Sequence, residues 1–142
     1  MPNKADRDLK HDRAVRDIAA ARFAFPTKEQ PKWRAFVNEP APALGVAGLA
    51  GESLYPDIVV VDSGNVARMV AEVETADTVT EAEGRREWKA FAEVCETFYL
   101  YVPAGYSKEA KRICAKLGVR VTGIRTWRYI QGAEQLDLTE VY

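Results

Sequence analysis

The sequence predicts an α/β protein in which helices flank a central mixed β-sheet. Segments rich in β-branched residues alternate along the chain with segments whose apolar residues recur at helical spacing. Their order is helix, three strands, helix, strand, helix, strand, which is typical of a sheet with helices on its faces. The length of 142 residues, with 47% apolar and 29% charged residues, fits one globular domain over residues 1–142.

The first predicted element is a helix from Asp6 to Phe25, which ends because proline follows it. Four prolines between residues 26 and 43 argue against another helix, so a surface loop is expected there. The apolar, glycine-punctuated run 44–51 predicts a strand leading into a hairpin. It lacks the Gly-Lys-Ser/Thr of a phosphate-binding loop, and Glu52 after it is a candidate extra ligand.

Two segments, 55–62 and 68–75, predict a central β-hairpin. The first contains four consecutive β-branched residues, as in a strand that is buried on both faces. Residues 63–65, Ser-Gly-Asn, supply the turn. Alternation along the second strand places Glu72 and Glu74 on the same face. Two carboxylates therefore share one side of an otherwise apolar strand.

The carboxylates of Asp57 and Glu72 are expected to approach each other across this hairpin. Facing side chains of adjacent strands have Cβ atoms about 4.5–5.5 Å apart. Like charges at that distance destabilise the fold unless a cation lies between them, and Mg²⁺ prefers oxygen ligands. The alternative is that Asp57 only starts a strand, and that Glu72 and Glu74 lie on a solvated strand face.

The second half of the chain predicts four more elements. A capping box at residues 80–83 begins a helix of about fifteen residues, in which Trp88 is expected to anchor core packing. A strand over 97–102, a helix over 107–118 and a last strand over 119–130 follow. The remaining tail predicts no element.

The single histidine and the two cysteines suggest no catalytic role. His11 has no partner in the sequence pattern and is expected at the surface rather than in catalysis. Cys95 and Cys114 lie in apolar helical patterns without Cys-x-x-Cys spacing, so they are expected to be core residues, not zinc ligands. No signal-peptide pattern or membrane-spanning apolar run is present, which predicts a cytoplasmic protein.

Charge is unevenly distributed, although the net charge is only −1. Residues 41–104 hold four basic and eleven acidic residues, whereas both flanks are basic. An acidic centre between basic flanks suits a metal site that acts on a polyanion. Scattered solvated charge is the alternative interpretation.

The motif Pro56-Asp57, fourteen intervening residues and then Glu72-Val73-Glu74 resembles the signature of PD-(D/E)XK, or restriction-endonuclease-like, nucleases. The order helix, three strands, helix, strand resembles their common core, to which the last helix and strand would be additions. The resemblance implies a phosphodiesterase that acts on DNA or RNA, in which Asp57 and Glu72 hold Mg²⁺ or Mn²⁺ and activate a water.

The third position of the motif departs from the family, because Glu74 replaces the usual lysine. Glu74 is a candidate general base or second-metal ligand. Some members carry the basic residue on the following helix, where this chain offers Arg85, Arg86 and Lys89 as candidate catalytic or phosphate-binding residues. A lost lysine also fits an inactive module that binds nucleic acid or protein.

Two arginines of the last predicted strand, Arg125 and Arg128, are further candidates for contact with a phosphate backbone. An ordinary edge strand has the same pattern. The small domain leaves little room for sequence-specific base readout, which favours a homodimer or a partner that supplies specificity. A hydrolase that uses its carboxylates on a different substrate is the third hypothesis.

Overall fold

A six-stranded mixed β-sheet forms the centre of the computed structural model, which describes residues 4–131 and 134–142. The strands of the chain are β1 (Arg34–Val37), β2 (Val46–Ala47), β3 (Ser53–Leu54), β4 (Ile58–Val61), β5 (Ala67–Val73), β6 (Phe98–Pro103), β7 (Gly123–Ile130) and β8 (Gln135–Glu140). Their order across the sheet is β1-β4-β5-β6-β7-β8, and β2 and β3 form a separate small hairpin. Strands β1, β4 and β5 are antiparallel, β6 and β7 run parallel to β5, and β8 is antiparallel to β7.

Helices cover both faces of the sheet. They are α1 (Lys4–Arg22), α2 (Glu81–Glu83), a π-helical turn (Gly84–Trp88), α3 (Lys89–Val94) and α4 (Ser107–Leu117). Helix α1 packs on one face, where it contributes to a core that includes Ile58 and Val60 of β4. The π-helical turn, α3 and α4 pack on the other face, against Val59 and Val61. Strand β4 is therefore buried on both sides, as its β-branched run predicts.

The expected α/β architecture, a mixed sheet flanked by helices, is confirmed at this coarse level. The expectation of a loop throughout 26–43 is wrong, because β1 lies inside it and pairs with β4 from Arg34↔Val61 to Val37↔Ile58. The four prolines flank this strand rather than interrupt it. Proline spacing therefore excluded a helix here but not a strand.

Two further strand predictions are wrong in their details. The run 44–51 contributes only β2, which pairs with β3 instead of joining the central sheet. The chain turns back there through a hydrogen bond from Gly48 N to Glu52 O of 2.7 Å. At the other end of the chain, the last predicted strand begins at Gly123 rather than at residue 119, and the unpredicted strand β8 follows it.

The helical segment after β5 begins as its capping box predicts. The Thr80 hydroxyl accepts a hydrogen bond from Glu83 N at 3.2 Å. The π-helical turn then brings Gly84 so close to α4 that a Cβ there would lie 2.7 Å from Leu117 Cδ1. Trp88 is fully buried, and both cysteines are free and buried, which confirms their predicted core positions. Among the helices of the described ranges, none combines the length and the apolar character needed to cross a membrane.

Candidate metal centre

An acidic cleft of about 660 Å³ lies at the edge of the sheet where β4 begins and β5 ends. Helix α1, the loop after β1 and the segment after β5 also border it. Among the described residues, the titratable side chains that line the cleft include His11, Arg86 and nine carboxyl residues: Asp8, Asp12, Glu39, Asp57, Glu72, Glu74, Asp77, Glu83 and Glu87. Such an excess of negative charge attracts cations.

Asp57 lines the cleft and is only 4% exposed. Ile58 pairs with Ala71 in the antiparallel register of β4 and β5. The next residue pair in that register is Asp57 and Glu72. The Asp57 N–H donates to Glu72 Oε1 at 2.9 Å, and Asp57 Oδ2 accepts from Val73 N at 2.8 Å. The structure thus places these two residues of the sequence motif next to each other across the hairpin, where main-chain N–H groups bind the carboxyl oxygens of both.

Glu72 and Glu74 are 6% and 3% exposed, so the interpretation as a solvated strand face is wrong. Burial raises the pKa of Glu72 well above its usual range, and the neighbouring carboxyls of Asp57 and Glu87 raise it further. Burial also raises the pKa of Glu74 to about 8, although its hydrogen bond with Thr78 opposes the change. Both side chains therefore favour the neutral form, in which burial costs least.

His11 does not lie free at the surface, as the sequence suggested, but half-buried in the cleft. Its Nε2 is 2.8 Å from Val73 O and 3.2 Å from Asp57 Oδ2. Burial alone would lower the pKa of His11, but the hydrogen bond and the charge of Asp57 outweigh it and raise the pKa to about 9. The sequence contains an indication of this position. His11 precedes the buried Ala14 and Val15 by three and four residues, which places it on the same side of the helix.

Asn38, which the sequence did not indicate, holds the loop after β1 against the cleft. Its backbone N–H donates to Asp57 O at 2.9 Å, and its side-chain amide donates to Pro56 O at 2.7 Å. The same amide donates to Leu44 O at 2.9 Å, while its oxygen accepts from Leu44 N at 2.8 Å. These bonds fix the position of the next residue, Glu39.

Glu39 completes a group of three side chains that could hold a metal ion. Ligand atoms of His11, Glu39 and Asp57 all lie within 4.8 Å of one another. Burial and then the charge of Asp57 raise the pKa of Glu39 to about 7, whereas His11 lowers it. Glu72 is outside this group, although it contacts Asp57. A metal ion that bound here would compete with protons on His11 and Glu39.

The basic candidates of the following helix are mostly outside the cleft. Arg86 lines it, but its Nη2 is held by Glu83 at 2.5 Å and by Glu87 at 2.9 Å. Lys89 is exposed and does not line the cleft. Arg85 does not line the cleft, and its Nη2 pairs with Glu81 Oε2 at 3.2 Å.

The remaining candidates also lie away from this cleft. On β7, Arg125 donates to Tyr101 Oη at 2.6 Å, and Arg128 pairs with Asp137 of β8 at 2.9 Å. Glu52 is exposed in the β2–β3 turn and does not line the cleft. The structure therefore assembles the acidic part of the predicted site and leaves these basic residues on other surfaces.

The cleft can accordingly bind a cation through buried carboxyl oxygens and, at its α1 side, an imidazole nitrogen. Comparisons of the chain with protein-family models, with curated proteins and with solved structures find no match.

Proposed function

We propose that the protein is a divalent-metal-dependent phosphodiesterase that acts on DNA or RNA, with Asp57 and Glu72 as ligands of Mg²⁺ or Mn²⁺. The observation that carries this proposal is that these two buried residues meet at the strand ends, where a carboxyl oxygen of Glu72 accepts a hydrogen bond from the backbone N–H of Asp57. Buried carboxylates that lie together are unfavourable unless they are protonated or compensated by a cation. Their oxygen atoms are the donors that Mg²⁺ prefers.

The chain's own residues fit this chemistry. A bound divalent ion lowers the pKa of a coordinated water and neutralises charge on a phosphate. Glu74 directly follows β5 and lines the same cleft as Glu72, and a bound cation would favour its ionised form, which can accept a proton. The hydrogen bond from Val73 N–H to Asp57 Oδ2 fixes the orientation of the Asp57 carboxylate in the cleft.

The topology supports the same proposal. Helix α1 precedes three antiparallel strands in the sheet, and after the helical segment β6 runs parallel to the third of them. Asp57 directly precedes the second of these strands, and Glu72 and Glu74 lie at the end of the third. This arrangement supports the inclusion of a restriction-endonuclease-like core in the proposal.

One observation favours a second candidate, a module that binds nucleic acid or protein without catalysis. The position of the motif lysine holds Glu74, and the nearest arginine of the following helix, Arg86, is bound by two carboxylates. Within the described part of the chain, the basic groups that line the cleft, His11 and Arg86, both lie against carboxylates, which leaves less means to stabilise a phosphorane-like transition state. Metal binding separates the candidates, because a purely binding module has no need for an ion at Asp57.

The test is calorimetric titration of Mg²⁺ and Mn²⁺ into the wild type and Asp57→Asn, with cleavage assays on supercoiled, linear and single-stranded DNA and on RNA. Asp62→Asn is the matched control, because Asp62 follows the opposite end of β4, outside the cleft. We expect metal binding and metal-dependent cleavage in the wild type and in Asp62→Asn only. Absence of metal binding at millimolar concentration refutes the proposal and favours the second candidate, whereas metal binding without cleavage of any of these substrates refutes the phosphodiesterase activity alone.

A further inference from the structure

A strongly basic surface lies on the exposed side of α4. Five basic side chains between residues 107 and 120 are exposed: Lys108, Lys111, Arg112, Lys116 and Arg120. The only acidic residue in the same stretch is Glu109. The buried side of the helix carries Ala110, Ile113 and Cys114, so packing directs the basic residues outwards.

Three cations of this region converge on a single carboxylate. Glu81 accepts from Arg85 Nη2 at 3.2 Å, from Arg112 Nη1 at 3.2 Å and from Lys116 Nζ at 3.0 Å. Arg112 also contacts Glu109 through its Nε at 3.0 Å. One carboxylate neutralises only one of the three cations on it. Glu81 therefore holds their side chains in place while leaving positive charge in excess.

Arg85 and the five exposed residues of the α4 region are called the basic surface here. Among the described residues, three of its six cations pair with two carboxylates, those of Glu81 and Glu109, and the eight charges sum to +4 in a chain whose net charge is −1. Exposed ion pairs add little to stability. A net positive surface with positioned guanidinium groups is well suited to phosphate oxygens, which guanidinium binds in bidentate geometry.

The basic surface adjoins the acidic cleft. Glu81 and Arg85 lie one helical turn apart on one side of the segment after β5, and Glu81 contacts α4 through Arg112 and Lys116. Glu83 and Glu87 of the same segment line the cleft. The basic surface and the cleft therefore lie on two sides of the same helical segment. A polyanion bound to the basic surface would reach Asp57 and Glu72 by following the surface of that segment.

We propose that the basic surface binds the phosphate backbone of nucleic acid and presents it to the cleft. The choice of nucleic acid as the polyanion rests on the proposed function. Arg112 and Lys116 are thereby substrate-docking residues, and Arg85 belongs to this surface rather than to the catalytic cleft.

The test measures the anisotropy of labelled single-stranded DNA, double-stranded DNA and RNA in EDTA, where no cleavage occurs. The triple variant Arg85→Gln, Arg112→Gln, Lys116→Gln is compared with Arg16→Gln, Lys28→Gln, Lys32→Gln. The control removes the same charge from exposed positions outside the basic surface. A second variant, Lys108→Gln with Arg120→Gln, spares the contacts of Glu81. Circular dichroism verifies that each variant is folded.

We expect the triple variant to lose affinity by roughly tenfold or more at moderate salt, because each lost phosphate contact removes counterion release. The slope of log K against log salt should fall by about 3, one for each cation removed, and the second variant should lose about 2. The control should bind as the wild type does.

Three results overturn the inference: no nucleic-acid binding by the wild type, an equal loss in the control, or binding of anionic lipid vesicles in place of nucleic acid. Its failure is distinguishable from failure of the proposed function. Binding through the basic surface without metal-dependent cleavage refutes only the phosphodiesterase, whereas cleavage with unchanged binding in the triple variant refutes only the docking surface.

Discussion

Replacement of Glu74 by glutamine tests whether the cleft holds a protonated carboxyl in the metal-free protein. Burial raises the pKa of Glu74 from 4.5 to about 8 in the folded state. The folded state therefore keeps a proton that the unfolded state releases, and the raised pKa stabilises the fold fully only below the unfolded pKa. This stabilisation is lost as the pH rises from 4.5 through 8. Glutamine resembles the protonated side chain and cannot ionise.

The size of the effect follows from linkage. Between about pH 5 and about pH 8, the wild type should lose roughly 3 kcal/mol of unfolding free energy through Glu74 alone. In a domain of this length the loss corresponds to a fall in Tm on the order of 10 °C. Over the same pH range, the loss of unfolding free energy in Glu74→Gln should be smaller than the loss in the wild type by roughly 3 kcal/mol. Some pH dependence should remain, since the pKa of Glu39 is also raised, to about 7.

Urea unfolding in EDTA at several pH values between these limits measures the difference directly. Glu93→Gln is the control, because Glu93 is exposed on α3. We expect the curves of the control and the wild type to run in parallel and the curve of Glu74→Gln to be flatter. If all three decline by the same amount as the pH rises, the reasoning from buried Glu74 is refuted.

Three more predictions concern the supports of the cleft and the core. Asn38→Ala should lower the free energy of unfolding by about 3 kcal/mol, because it leaves buried carbonyls without donors; urea unfolding that gives a loss below about 1 kcal/mol would contradict it. Gly84→Ala should lower the free energy of unfolding by on the order of 1 kcal/mol. The steric cost of the new Cβ against Leu117 should exceed the stabilisation from the higher helix propensity of alanine; an unchanged Tm would argue against this packing. In NMR spectra of the metal-free protein, the imidazole of His11 should titrate near pH 9, and a midpoint near 6.5 would exclude its contact with Asp57.

The parts of the fold that the sequence predicts are those that local pattern determines. The β-branched run of β4 requires burial on both faces, and Thr80 fixes a helix start through its own hydroxyl. Strands β1 and β8 are different, because each is short and partly exposed and is stabilised by its partner strand. Neither strand carries enough β-branched residues to be predicted without knowledge of that partner.

In the candidate site, too, some contacts follow from local sequence pattern and others depend on distant parts of the chain. Asp57 and Glu72 meet because a hairpin connects their strands, so their sequence separation is sufficient to predict the contact. Glu39 reaches Asp57 only because Asn38 binds the chain before β4, which no periodicity indicates. His11 was within reach of prediction, since it continues the buried stripe of α1 towards the end of the sheet.

The proposed roles of the cleft and the basic surface predict that nucleic-acid binding and cleavage depend differently on metal, because the two surfaces carry opposite charges. A cleft with nine carboxyl residues repels a phosphate until a cation is bound, whereas the basic surface attracts one without a cation. Asp57→Asn should therefore bind DNA in EDTA at least as tightly as the wild type and should gain no affinity when Mg²⁺ is added. The wild type should gain affinity, because the metal-loaded cleft adds a contact. Equal gains in both proteins, measured by anisotropy at constant ionic strength, would show that Mg²⁺ acts elsewhere than at Asp57.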